Sequence, residues 1–538
     1  MTQRNRSSSP RPSPDPATDA GARPPSRRAV LHGGAALGGA ALVGAGLPPS
    51  GAAAAPALVR GGRAGLSHGV ASGDVTRSSA VLWARADAPG RLVAQVRHPG
   101  RGGGWRTVPG PVVTDDSDLT GTIRLDGLLP GELYEYRLAV ETADGAGPSQ
   151  AGRLRTAPRA RSDVSFTWTG DTAGQGWGRR LEDGMPGFGA MLATDPDFVV
   201  HSGDTIYADG PIAPEVVLPD GTTWRNVVTD GVEEVAQDLD QFRGRHRYNR
   251  GDHHVQALTA AVPLYAQWDD HEVTNNWYPG EVLTDPRYTR ERRTDVLAQR
   301  GRRAFGEYHP FDDRRRDAEG KVYGRFPRGP HVDLFMLDMR TYRGANTANT
   351  QPAAGPETPF LGREQADWFV REARRSRATW KVVLADMPLG VVVPDGSLFE
   401  AVANGVDGPP LGRELEIASL LSRLKRARVS GLVWLTADVH WTAAHRYDPA
   451  AAGFSDFDPF WEFVAGPIHA GAFPVGELDG TFGPQRVFAS GPTAPNESPA
   501  GAHQFFGHVA VEGASGAMTV SLRTSRGDVV HAQVLEPT

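Results

Sequence analysis

Five apolar runs in the sequence break off abruptly on a carboxylate. Val164–Trp168 runs into Thr169-Gly170-Asp171, and Phe198–Val200 into His201-Ser202-Gly203-Asp204. Val332–Leu337 ends at Asp338-Met339-Arg340, Trp380–Leu384 at Ala385-Asp386, and Gly431–Leu435 at Thr436-Ala437-Asp438. Short runs that are apolar throughout, without alternation, read as strands buried on both faces. Helix-compatible segments lie between some of them, at Arg363–Arg375 and Arg413–Arg428. Strands alternating with helices predict an α/β domain with a largely parallel sheet, spanning residues 163–538. Acidic residues at the carboxyl ends of such strands would meet in the crevice where α/β sheets bind ligands. The collected set is Asp171, Asp204 with Tyr207, Asp269-Asp270-His271-Glu272, Asp386, and Asp438 with His440. A single Asp there is uninformative, because Asp also caps helices and starts turns. Many carboxylates meeting in one crevice repel each other, and multivalent cations are the usual remedy.

The sequence upstream is of another kind. Residues 64–157 predict a small all-β domain of the immunoglobulin or fibronectin sandwich type. Ala80–Ala84 and Leu92–Val96 read as short strands, and Leu128–Tyr136 as a tyrosine corner. Residues 1–57 predict an export signal and linker. Ser26-Arg27-Arg28-Ala29-Val30-Leu31 is followed by a weakly apolar Gly/Ala run from Gly33 to Leu47, and Ala52–Ala55 offers a cleavage site. That pattern resembles a twin-arginine (Tat) signal, so the Tat export machinery is an expected partner and the mature chain is expected outside the cytoplasm. No later stretch has the ~18 apolar residues of a spanning helix.

Composition removes several function classes. The sequence has no Cys, which excludes disulfides, thiol nucleophiles and Cys-ligated clusters. Lys occurs only at Lys321, Lys381 and Lys425, so there is no phosphate-binding Gly-x4-Gly-Lys loop and no His-x-Lys pair. A formal charge of −6 argues against a nucleic-acid coat.

Gly203-Asp204-Thr205-Ile206-Tyr207-Ala208-Asp209, Trp268–Asn276, Leu337-Asp338-Met339-Arg340-Thr341-Tyr342-Arg343 and Ala437-Asp438-Val439-His440 together resemble the alkaline phosphatase D (PhoD) family. That family is a branch of the calcineurin-like metallophosphoesterases, related to purple acid phosphatases. Ser67–Asp74 also matches the opening of the family's N-terminal β domain. The resemblance implies a secreted phosphoric ester hydrolase, a phosphatase or phosphodiesterase, with a centre of Fe3+ and one or two Ca2+. It implies that Asp204 bridges the metals and that Tyr207 and His440 bind iron. Asp270 and Asp438 would take the second metal, and Asp386 stands where purple acid phosphatases have a His. Asp171 falls where typical members have a Cys, so oxygen would replace sulfur there. The donor types agree with this division: Asp204, Asp270, Asp386 and Asp438 suit a hard divalent cation, whereas carboxylate, phenolate and imidazole together suit Fe3+. His271 is expected to protonate the leaving oxygen. Asn275 and Arg340 are candidates to hold phosphate oxygens, Arg340 having Asp338 as an alternative partner. The substrate expected is a phosphate ester, with teichoic acid and phospholipid among the candidates.

Other patterns carry blander expectations. Gly65-Leu66-Ser67-His68-Gly69 fits a serine-hydrolase pattern but lacks the strand–turn–helix context. Asp252-His253-His254 reads as a helix cap, and Arg314-Arg315-Arg316 as a solvated turn. His469 is left unassigned. Phe454–Phe463 is aromatic enough to be a lipid-facing loop, which would suit the alternative of a metal-dependent phospholipase D. A third alternative is a non-catalytic secreted metal-binding or adhesion protein.

Overall fold

The computed structural model describes residues 63–315 and 320–538. The proposed export signal therefore lies outside the described residues, as does Arg316. The five apolar runs do form strands, but they divide between two sheets rather than one. The first is nine-stranded. At its centre Val164–Thr169, Phe198–Ser202 and Leu264–Gln267 run parallel. The second is seven-stranded, with Val332–Met336, Trp380–Leu384, Leu432–Thr436 and Phe460–Val464 parallel at its centre. Antiparallel strands flank both, including the C-terminal meander Phe505–Val511, Met518–Thr524 and Val529–Leu535.

The sheets pack face to face. Phe166, Trp168, Val200 and Ala266 from one share a core with Leu334, Val382, Val433 and Phe463 from the other. A strand covered by a second sheet and one covered by helices are equally apolar, so the runs alone do not distinguish the two arrangements. Hydrogen bonds pin the carboxyl ends of the two sheets together. Trp168 Nε1 donates to the Thr436 carbonyl at 3.2 Å, and Gln267 Nε2 to those of Leu337 and Leu384 at 3.2 and 3.4 Å. Six strand-end loops are thereby gathered into one place.

Helices cover the outer faces. Arg363–Arg375 buries Gln365, Ala366, Phe369 and Ala373, an i, i+1, i+4, i+8 stripe. Glu414–Arg426 buries Ile417, Leu420, Leu421 and Leu424. Both stripes pack on Phe335, Val383 and Trp434 of the seven-stranded sheet. Leu239–Arg250 begins with a reciprocal capping box between Asp238 and Gln241. Asp252 caps His253–Ala261, accepting from His254 and Val255, as the Asp-His-His pattern predicts.

The N-terminal region is all-β. Its five-stranded sheet is built on Gly90–Arg97, Arg106–Val113, Leu133–Thr142 and Gln150–Arg155, over a core of its own. The tyrosine corner is present: Tyr134 Oη accepts the Leu129 N–H at 2.8 Å. Val70–Gly73, Ser79–Arg85 and Thr120–Asp126 extend the nine-stranded sheet, with Gly73 pairing beside Leu264.

Two sequence expectations need correction. Phe454–Phe463 is no lipid-facing loop: Phe457, Phe460 and Phe463 are buried, and the segment ends in the parallel strand Phe460–Val464. Arg315 is only partly solvated, since it pairs with Asp74 at 3.2 Å and lies over Phe326, whereas Arg314 is exposed as expected.

Candidate metal centre

Four of the expected ligands sit where the chain leaves a strand in the left-handed region. Asp171, Asp204, Asp438 and His440 have φ of 66°, 53°, 65° and 60°. Asp tolerates this conformation better than most residues, yet four instances in one crevice is local strain held by the surrounding fold. The adjoining loops show what holds it. Glu272, fully buried, accepts hydrogen bonds from the Asp204 N–H (3.1 Å), the Asp269 N–H (2.7 Å), and the Thr205 N–H and hydroxyl (both 2.6 Å). One carboxylate thus ties the loop after Phe198–Ser202 to the loop after Leu264–Gln267. His469 does a similar service. Its carbonyl accepts the Ala173 N–H, its N–H reaches the Asp171 carbonyl, and its ring contacts the Gly178 carbonyl at 2.9 Å. It braces the Asp171 loop.

The side chains converge as the sequence predicts. Ligand atoms of Asp171, Asp204 and His440 lie within 4.8 Å of one another, as do those of Asp204, Asp270 and His271, and those of Asp269, Asp270 and Asp438. Asp204 is common to the first two groups and Asp270 to the last two. Tyr207 joins the first group, its Oη 2.8 Å from His440 Nε2. His440 Nδ1 is engaged by the Gly471 carbonyl, which leaves Nε2 facing Tyr207 and Asp171. Asp386 lies at the Asp269 end, 3.6 Å from Arg340 Nε.

The electrostatics are those of a site with more carboxylate than counter-charge. Burial, then the neighbouring carboxylates, pushes Asp171, Asp204, Asp386 and Asp438 well above the usual carboxylate range. Burial also raises Asp270, but His271 and Arg340 outweigh it and hold that carboxyl at about 2. His440 is lowered by burial to about 4 and is a neutral imidazole at neutral pH. Burial lowers His271 too, but Asp209 and Asp270 reverse this and push it up to about 10. Asp171 Oδ2, Asp269 Oδ2 and both oxygens of Asp386 are buried without a hydrogen-bond partner. Buried polar oxygens are almost always paired, so unpaired ones clustered together fit a bound cation. The donor set passes this test for metal.

Three residues that shape the cluster have no role in the sequence reading. Asp209 Oδ1 lies 2.7 Å from His271 Nδ1, and its other oxygen accepts the Asn275 N–H at 2.9 Å. Asp209 belongs to the same Gly-Asp-x-x-Tyr-x-Asp stretch as Asp204, so its spacing was the available signal. Asp269 and Glu272 flank Asp270 and His271 in the same tetrad. Asn275 is exposed on this loop, and Arg340 is fully buried among carboxylates. Asp338, the alternative partner, accepts the Arg340 backbone N–H at 3.1 Å and the Thr341 N–H and hydroxyl, while the guanidinium goes elsewhere. The Gly65–Gly69 pattern is no strand–turn–helix elbow: it leads into the strand Val70–Gly73, and Ser67 Oγ donates to Asp87 at 2.6 Å and lies 3.0 Å from the adjacent His68 Nδ1.

The fold is a two-sheet sandwich with a buried Asp/His/Tyr cluster at its carboxyl edge, and comparison with known proteins assigns it a family. Residues 166–522 match the profile of the PhoD-like phosphatase family, and residues 52–158 match that of the PhoD-like phosphatase N-terminal domain. The chain belongs to the PhoD-like phosphatase family. It is 29% identical over 405 residues to alkaline phosphatase D of Bacillus subtilis (strain 168), a match spanning 69% of this chain and 64% of that protein. A solved structure of PhoD superposes with a TM-score of 0.66 at 20% identity, covering 88% of this chain and 89% of that one. A purple acid phosphatase from yellow lupin (Lupinus luteus) seeds gives 0.55 at 14% identity, covering 87% and 74%. These two likenesses support the fold.

Proposed function

We propose that this protein is an exported, metal-dependent phosphoric ester hydrolase, acting on phosphomonoesters or phosphodiesters. The observation that carries the reading is the set of buried carboxylates with unpartnered oxygens at the carboxyl edge of the sheets. Asp171, Asp204, Tyr207 and His440 would hold Fe3+, and Asp204, Asp270, Asp386 and Asp438 would hold Ca2+. Cations bound there would clamp the phosphoryl oxygens and acidify the attacking water. The chain's own residues do the rest. Asp204, common to two donor groups, sets their separation. Asp209 fixes His271 through Nδ1, so that Nε2 is left to carry the proton for the departing oxygen. Asn275, exposed on the same loop, is placed to hold a phosphate oxygen.

Purified protein exported by its own signal should contain iron near one equivalent. It should hydrolyse p-nitrophenyl phosphate or its bis-ester only with Ca2+ present. Stoichiometric zinc without iron would overturn the metal assignment, and hydrolysis of neither ester would overturn the activity. Replacing both Arg27 and Arg28 with Lys should leave precursor in the cytoplasm, whereas normal secretion would refute Tat export. Among the described residues no helix is long and apolar enough to cross a membrane. The buried aromatics of Phe454–Phe463 remove the support for a lipid-facing loop.

A further inference from the structure

Arg340 is 0% exposed, and its guanidinium is surrounded by acid. Nε contacts Asp269 and lies 3.6 Å from Asp386. Nη1 contacts Glu400, while Nη2 lies 3.5 Å from Asp438 and 3.8 Å from Asp270. Arg343 Nη1 lies 3.8 Å from the same Glu400 oxygen. Five carboxylates on one buried cation is not a phosphate-binding geometry. A guanidinium that receives an incoming phosphate needs donors facing the substrate, and these face ligands of the cation site. Guanidinium also stays charged at any physiological pH, so its positive charge is permanent. Without it the five carboxylates would face each other in a medium where like charges a few ångströms apart repel by several kcal/mol.

We propose that Arg340 is a resident counter-ion of the cation site. It holds Asp269, Asp270, Asp386, Asp438 and Glu400 in one nest before any metal arrives. It then competes with the divalent cation for the charge of Asp270 and Asp438. This rests on the metal-dependent reading above and makes Arg340 a positioning residue, in place of the phosphate contact expected from sequence. The consequence runs against intuition: removing a buried charge here should tighten metal binding. A neutral residue leaves the nest more negative, so the empty protein loses stability while the calcium-loaded protein is compensated by the ion.

The test uses the full chain treated with EGTA and titrated with Ca2+, read by calorimetry and by melting temperature. Arg340→Gln should bind Ca2+ at least about 10-fold more tightly than wild type, because removing one unit charge a few ångströms from a divalent ion shifts binding by that much or more at any dielectric between that of protein and that of water. Its calcium-free melting temperature should fall much further than its calcium-loaded one. Arg340→Lys, which keeps the charge, should retain near-wild-type affinity. Equal losses in both forms with unchanged affinity would make Arg340 an ordinary structural ion pair and overturn the proposal. A raised KM for p-nitrophenyl phosphate with unchanged calcium affinity would make it a phosphate holder and also overturn it. Should Arg340→Gln fail to fold, Glu400→Gln gives the converse test. One carboxylate fewer should weaken Ca2+ binding about tenfold, and unchanged affinity overturns the proposal. A wild-type chain indifferent to Ca2+ in both readouts would instead refute the metal-dependent function itself.

Discussion

Two carboxylate clusters in this molecule share a backbone geometry and differ in how their oxygens are satisfied. Asp118, in the N-terminal all-β region, has φ of 48°, as left-handed as Asp204 or Asp438. Its oxygens receive Arg85 at 2.8 Å, Arg247 at 2.6 Å and the Tyr308 hydroxyl. At the metal centre, Asp171, Asp269 and Asp386 keep oxygens with no protein partner. The first cluster is a finished structural joint, complete within the chain. The second leaves oxygens unsatisfied within the chain, and in the proposed function cations complete it. Strained backbone and buried carboxylate occur in both, so neither marks the site alone; what sets the second apart is several unpaired carboxylate oxygens gathered in one crevice.

That contrast fixes the sign of a charge-removing substitution in each place. At the centre, Asp204→Asn should lower hydrolysis by roughly 10⁴-fold or more, because it weakens the carboxylate common to two donor groups. The same change should raise the melting temperature of the metal-free protein, since it removes one of several mutually repelling charges. A metal-free melting temperature that falls would mean the centre is a structural joint like Asp118, and the comparison would break.

His271→Asn tests the division of labour within the centre. With Asp209 holding Nδ1, the imidazole is argued to give up a proton and not to anchor metal. Turnover should drop roughly 10²–10⁴-fold, the usual worth of a positioned general acid, while iron content stays near wild type. The loss should be larger for an alkyl phosphate than for p-nitrophenyl phosphate, whose leaving group departs without a proton. Equal losses on both substrates would make His271 a phosphate-binding group, and loss of iron would make it a ligand.

Much of the centre was legible because strand ends announce themselves: a buried run is apolar throughout and stops at the first side chain that needs water or metal. Asp171, Asp204, Asp386 and Asp438 were read that way. Asp269 and Glu272 stand in the same collected set but without a role, because within Asp-Asp-His-Glu nothing in the spacing tells a ligand from the residue that holds the ligand's backbone. That distinction depends on which way each side chain turns as the loop leaves Leu264–Gln267, a strand of four residues too short to stand out. The split into two sheets was hidden for a different reason. A strand between two sheets and a strand between helices bury the same residues. Phe454–Phe463 suits a lipid-facing loop in sequence because aromatic runs fit a core strand and a lipid surface alike.

The smallest effect comes from the finished joint. Burial alone would raise the Asp118 carboxyl, but hydrogen bonds from Arg85, Tyr308 and Arg247 more than offset it and hold the group at about 2, below its ordinary 3.8. The side chain is 13% exposed, so solvent screens these contacts little. A carboxyl whose folded pKa is depressed stabilises the protein above its unfolded pKa, and the contribution fades as pH falls through the folded value. The shift corresponds to about 2 kcal/mol at neutral pH. Asn adopts the left-handed backbone as readily as Asp, so Asp118→Asn removes the charge without straining the turn. Denaturant unfolding at pH 7 should therefore show a loss of about 2 kcal/mol, and the gap to wild type should narrow between pH 4 and pH 2 as the native carboxyl is protonated. Hydrolysis per folded molecule should be unchanged, because Asp118 contributes nothing to the cation nest. A gap that persists undiminished at pH 2 would mean that shape and not charge holds the joint. A loss of turnover in the folded variant would mean that the two clusters are coupled, and that the β region takes part in the chemistry.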